Sequence, residues 1–135
     1  MKGLNPSALC LVASLGTSVQ AAEHTEIKVK MTQLTGKHCS NALEKANTII
    51  SGDCITYRIE VENVGERVAH DVEVSALIPE FTELHTTFRK LSNQQNLGSI
   101  IEKKSNGQRI IKTTLEALPA YGLDKVVLEY SVKVI

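Results

Sequence analysis

Between Cys54 and Pro79 the chain alternates apolar and polar residues through two runs joined by one Asn-Val-Gly-Glu turn. In the first run Ile55, Tyr57, Ile59 and Val61 share one side, while Thr56, Arg58, Glu60 and Glu62 take the other. In the second, Val72, Val74 and Ala76 alternate with Asp71, Glu73 and Ser75. A side-chain period of two describes a strand with one buried face, and no helix can satisfy it. Pro79 closes the second run, because it has no N–H to give to a ladder. The same period returns at Ile27, Val29 and Met31, and again at Val126, Leu128, Tyr130, Val132 and Val134, opposite Lys125, Glu129, Ser131 and Lys133. Two Ile-Ile pairs flank Ser105-Asn106-Gly107, and Asn-Gly between apolar runs predicts a tight hairpin. Ser40–Asn47 reads as a helical turn or two, and the stretch Leu91–Gly98 as polar loop.

Six or seven short strands, each apolar on one face, predict an all-β antiparallel sandwich of two sheets, with a closed β-barrel as the runner-up. Strands buried on both sides, as a parallel α/β sheet requires, are absent from the pattern. At 135 residues the chain supplies one domain's core. Fifteen basic residues balance fifteen acidic ones, so no field of one sign recommends nucleic acid as a partner. With no Trp, three Tyr and two Phe, a base-stacking platform is hard to assemble.

The N-terminus reads as a targeting segment. Lys2 precedes the apolar run Ala8–Val19, and Val19-Gln20-Ala21 places small or apolar residues where a signal peptidase inspects them. Gly16 and Thr17 interrupt a run already shorter than the roughly 20 residues a membrane span needs. Residues 1–21 are therefore expected to be a cleavable signal peptide and residues 22–135 one domain, exported to the periplasm, surface or medium, with no transmembrane segment after cleavage. Cys39 and Cys54 then remain, and an even pair in an oxidising compartment predicts a disulfide. A zinc site wants four ligands and only His38 adjoins the pair, so no metal is expected. No Cys-x-x-Cys spacing suggests a catalytic thiol.

Catalytic patterns are missing from the sequence: no Gly-x-Ser-x-Gly elbow, phosphate loop or zinc-protease motif occurs. His24, His38, His70 and His85 fall at no ligand spacing, and adjacency in a strand predicts that His70 and Asp71 point to opposite faces. Neither catalytic residues nor a cofactor are assigned. Lys103, Lys104, Arg109 and Lys112 form one basic hairpin, a possible contact for a partner and also a guard against edge aggregation. The last run ends at Ile135 without a polar tail, which leaves that strand expected to be open to pairing.

From Ile50 onward the order Gly52-Asp53, Tyr57, Ile59, Val61, Asn63, Gly65, Val72, Val74, Ile78-Pro79 and finally Leu118–Gly122 before the last strand forms one pattern. It resembles the conserved repeat domain of unknown function of bacterial and archaeal surface proteins, found also in cysteine-rich outer-membrane proteins. Members often carry Asp where this chain has Ala76. The resemblance implies an immunoglobulin-like sandwich in an exported protein and gives Gly52, Asp53, Tyr57, Asn63, Gly65 and Pro79 structural roles. The expected function is a non-enzymatic interaction domain meeting an envelope or surface protein through edge strands or loops. The alternative is a module binding a small ligand, metal or glycan with loops at one end, using His38 or His85.

Overall fold

The computed structural model describes residues 7–12, 17–22, 25–46 and 48–135, the first two stretches as backbone only. The rest of the predicted signal peptide, with His24 and Asn47, lies outside the described residues. Two antiparallel sheets pack face to face as a sandwich and do not close into a barrel. One sheet holds, in order, β4 (Leu43–Glu44), β3 (Ile27–Gly36), β5 (Cys54–Asn63), β11 (Lys125–Val134), β7 (Thr82–Lys90) and β8 (Gln95–Asn96). The facing sheet holds β6 (Ala69–Ile78), β10 (Arg109–Leu118) and β9 (Ile100–Lys103). The backbones of β2 (Thr17–Ala22) and β1 (Ser7–Val12) extend this second sheet beyond β6. Among the described residues no helix is long and apolar enough to cross a membrane.

The alternation read from sequence sets the core. Ile59 and Val61 of β5, Val72 and Val74 of β6, and Leu128 and Val132 of β11 are all buried between the sheets. Tyr57 and Tyr130 sit opposite each other on β5 and β11 and stack at 5.0 Å. Phe88 of β7 meets Tyr130 edge-on at 5.2 Å, completing an aromatic row across three strands. Such pairs add about 0.5–1.5 kcal/mol beyond their area. Burial raises the hydroxyl pKa of both tyrosines, Tyr130 the more strongly. The Tyr130 hydroxyl donates to the Leu77 carbonyl at 2.7 Å and so ties β11 of one sheet to β6 of the other.

Five expectations change, the first within Leu91–Gly98, read as loop, where Gln95–Asn96 pairs with Arg89–Lys90. Among the described residues of Ser40–Asn47 there is no helix; Leu43–Glu44 pairs with Thr35–Gly36 instead. Eight residues hardly repay helix nucleation, and the tether at Cys39 starts them off extended along β3. The strand β7 was not foreseen. Its register against β11 shifts twice between Glu129 and Val132, so its buried residues, Thr82 and Phe88, lose a regular period. His70 and Asp71 do not alternate; Asp71 adopts a left-handed backbone (φ 53), burial skips from Ala69 to Val72, and both are exposed. Finally, β11 is not open to pairing, because β5 and β7 flank it on both sides.

Replacing Tyr130 with Phe keeps the ring contacts and leaves the Leu77 carbonyl without this donor. Urea titration is expected to show a loss of about 1–2 kcal/mol, with the slope of the transition unchanged.

Candidate interaction surfaces

At one end of the sandwich the loops converge on Asn63, the last residue of β5 and fully buried. Its amide nitrogen donates to the Arg67 carbonyl at 2.7 Å and to the Leu118 carbonyl at 3.1 Å. Its side-chain oxygen accepts from the Gly65 amide at 3.0 Å and the Glu26 amide at 3.4 Å. Four segments (the start of β3, both arms of the β5–β6 turn, and the end of β10) are thus held by one side chain. Gly65 approaches the neighbouring backbone so closely that a Cβ would lie 2.6 Å from the Glu26 nitrogen. No other residue type fits that approach.

The β10–β11 corner rests on this hub. The Tyr121 amide donates to the Gly65 carbonyl at 2.9 Å and the Gly122 amide to the Asn63 carbonyl at 2.7 Å. Tyr121 is thereby held at φ 59, with the residue 68% exposed. Val68 and Leu123 are exposed on the same two loops.

The opposite end is organised by Asp53 and the disulfide. Cys39 and Cys54 are bonded, with Cα atoms 4.6 Å apart, joining the turn after β3 to the start of β5. Beside them the Asp53 carboxylate accepts from the His38 amide at 3.1 Å and the Ile50 amide at 3.2 Å. These two bonds, the His38 amide first, hold its pKa below the ordinary carboxylate value. Gly52 takes φ 94, the reason for a glycine before this aspartate, and donates to the Val134 carbonyl.

At this same end the β6–β7 corner carries Phe81 at φ 61, with the residue 80% exposed. Arg109 braces the corner: its guanidinium donates to the Pro79 carbonyl at 3.0 Å and the Thr82 carbonyl at 2.7 Å. The Thr82 hydroxyl also donates to Pro79, and the Ile135 amide to Phe81. Of the basic hairpin, Arg109 is therefore engaged inside the molecule, and Lys112 forms an ion pair with Glu102 at 3.0 Å. Lys103 and Lys104 remain exposed.

A polar groove of about 430 Å³ runs over the outer face of the six-stranded sheet. In it Glu129, only 5% exposed, is clamped between Arg58 at 2.9 Å and Arg89 at 3.0 Å, a row across β5, β11 and β7. Thr86 and Ser131 share a hydrogen bond at 2.6 Å beside it. Alternation puts Arg58 and Glu129 on outward faces, but which strands lie side by side is a property of the sheet order, so the row was not legible. His85 lies within 4.8 Å of both cysteine sulfurs. Thiolates bind metals and disulfide sulfurs do so poorly, which leaves His85 as the one good ligand of the three. His38 is exposed on the turn before Cys39, its backbone already committed to Asp53.

Comparison of the chain with protein-family models, with curated proteins and with solved structures finds no match.

Substitutions at the two hubs predict opposite pH effects. Asp53 has a depressed folded pKa, so its contribution is complete above about pH 4 and disappears as pH falls through the lower folded value. Asp53→Asn is expected to lower Tm at pH 7 and to flatten the decline of Tm between about pH 4 and pH 2. Asn63→Asp places an acceptor against two carbonyls unless it is protonated, which raises its folded pKa. Relative to wild type, that variant is expected to lose at least about 3 kcal/mol at pH 7 and markedly less at about pH 4, read from denaturation at both values.

Proposed function

We propose that this chain is an exported, non-enzymatic immunoglobulin-like interaction module that meets an envelope or surface protein through the corners at its two ends. One observation carries the reading: Phe81 and Tyr121 are bulky residues held at positive φ with their rings in solvent. A left-handed backbone costs an L-residue about 1–2 kcal/mol, and glycine avoids that cost. Each corner is nevertheless braced to keep an aromatic residue there, Phe81 by Arg109 and Tyr121 by the Asn63 hub. Strain kept at an exposed aromatic residue points to contact, because rigid aromatic side chains are the usual anchors of interfaces. The targeting segment, the disulfide and the motif resemblance support an address outside the cytoplasm.

A second reading follows from the groove on the outer sheet face. Two arginines against one glutamate leave a surplus positive charge beside His85, suited to an anionic small ligand or acidic glycan. A thermal-shift screen with acidic sugars tests it, and no shift from any of them removes it.

The interaction reading is tested by replacing each aromatic residue with glycine. Phe81→Gly and Tyr121→Gly are expected to leave stability level or to raise it by about 1 kcal/mol. Partner capture, measured by cross-linking in the intact envelope of producing cells, is expected to fall at least about tenfold for one or both variants. Undiminished capture by both, with folding intact, would sink the proposal.

A further inference from the structure

Most margins of the two sheets are poorly suited to accept another strand. β4 and β8 are two residues each. β9 has four residues, carries Lys103, and has its Glu102 tied to Lys112. β3 meets β4 only at Thr35 and Gly36, but its remaining margin carries Lys28 and Lys30, residues that blunt strand pairing. β6 differs. It has ten residues, and Val72–Ile78 includes a single charge, Glu73. One side of β6 pairs with β10 along its length. The other meets the backbone of β2, where Ser18, Val19 and Gln20 run antiparallel to Ser75, Val74 and Glu73. β1 follows outside β2. Both strands come from the stretch read as a signal peptide, save Ala22 at the end of β2. The core side chains that the structure describes run from Ile27 to Val134.

We propose that removal of residues 1–21 uncovers the β6 margin and that β6 of a second copy takes the place of β2. The proposal rests on the export reading above. Antiparallel pairing about a two-fold axis at Val74 sets Glu73 of each copy opposite Ser75 of the other. On the core-facing side Val72 meets Ala76, and Val74 meets itself. No like charges face each other, and a valine flanked by polar residues replaces Ser18-Val19-Gln20, which has the same character. The contact is isologous and closes on itself, so it ends at a dimer instead of growing into a fibre. Two three-stranded sheets become one continuous six-stranded sheet, and neither copy keeps a free β6 margin.

Ser75 provides a discriminating test, because it also faces Lys112 on β10. Ser75→Glu gains an attractive neighbour within its own chain and opposes Glu73 of the other copy twice. Ser75→Lys does the reverse on both counts. The full chain is expressed in two forms, exported and retained unprocessed, and examined by intact mass, light scattering and amide exchange. The exported protein is expected to begin at Ala22, to be dimeric, and to protect the amides that point out from the β6 margin; the unprocessed chain is expected to be monomeric. Ser75→Glu is expected to weaken the dimer about tenfold without loss of Tm, like charges opposed across strands being unfavourable. Ser75→Lys is expected to stay dimeric despite an equal or lower Tm. If the exported protein retains residues 1–21, the export reading fails and this proposal with it. If it begins at Ala22 and is monomeric, or dimeric with Ser75→Glu no weaker, self-pairing alone is overturned. Protection of the β6 margin amides that arises only with another envelope protein would likewise overturn it and assign the margin to that protein.

Discussion

One buried amide side chain fixes an entire end of this sandwich. Asn63 offers two donors and one acceptor oxygen, and all are used on main-chain groups that no strand could pair. Each of those groups sits where the chain leaves one sheet for another, so the bonds do for the loops what ladders do for strands. An aspartate would repel the two carbonyls and a leucine would leave every partner unpaired, which makes the position chemically narrow in a way that core valines are not. The tyrosine corner, the close passage at Gly65 and the entry to β3 all inherit their geometry from it.

The far end solves the same problem by different means. A covalent bond and an ionised carboxylate replace the neutral amide, and the region they hold, Ile50 to Cys54 with the turn after β3, has little core of its own. Closing a loop of this length is worth about 3 kcal/mol in the chain-entropy model. The two ends therefore answer to different conditions, one to acid and reductant, the other to neither.

How much of this was legible depends on whether the information was local. Tyr57, Ile59, Val61, Val72 and Val74 announce their burial by period alone, and Asn106-Gly107 announces its hairpin. Gly52-Asp53 and Asn63-Val64-Gly65 were readable as turns, though not as hubs, because their partners include residues as distant in sequence as Val134 and Leu118. Arg58, Glu129 and Arg89 meet only because β5, β11 and β7 are neighbours, an order no single strand encodes. Arg109 looked like a surface cation and is a brace, since nothing in its own hairpin reveals the β6–β7 corner beside it. β7 was obscured by its bulged register, which hides a strand from any test of strict alternation.

The central place of β11 has a consequence for how the molecule comes into being. A chain delivered from its N-terminus, by a ribosome or through a translocation pore, presents β3 and β5 long before Lys125–Val134 emerge. Until then β5 and β7 have no strand between them, Tyr57 lacks the ring it stacks on, and the two sheets lack the Tyr130 strut. The larger sheet therefore cannot be completed cotranslationally from its first half. The order of the strands therefore defers completion of the larger sheet until the last strand has been delivered.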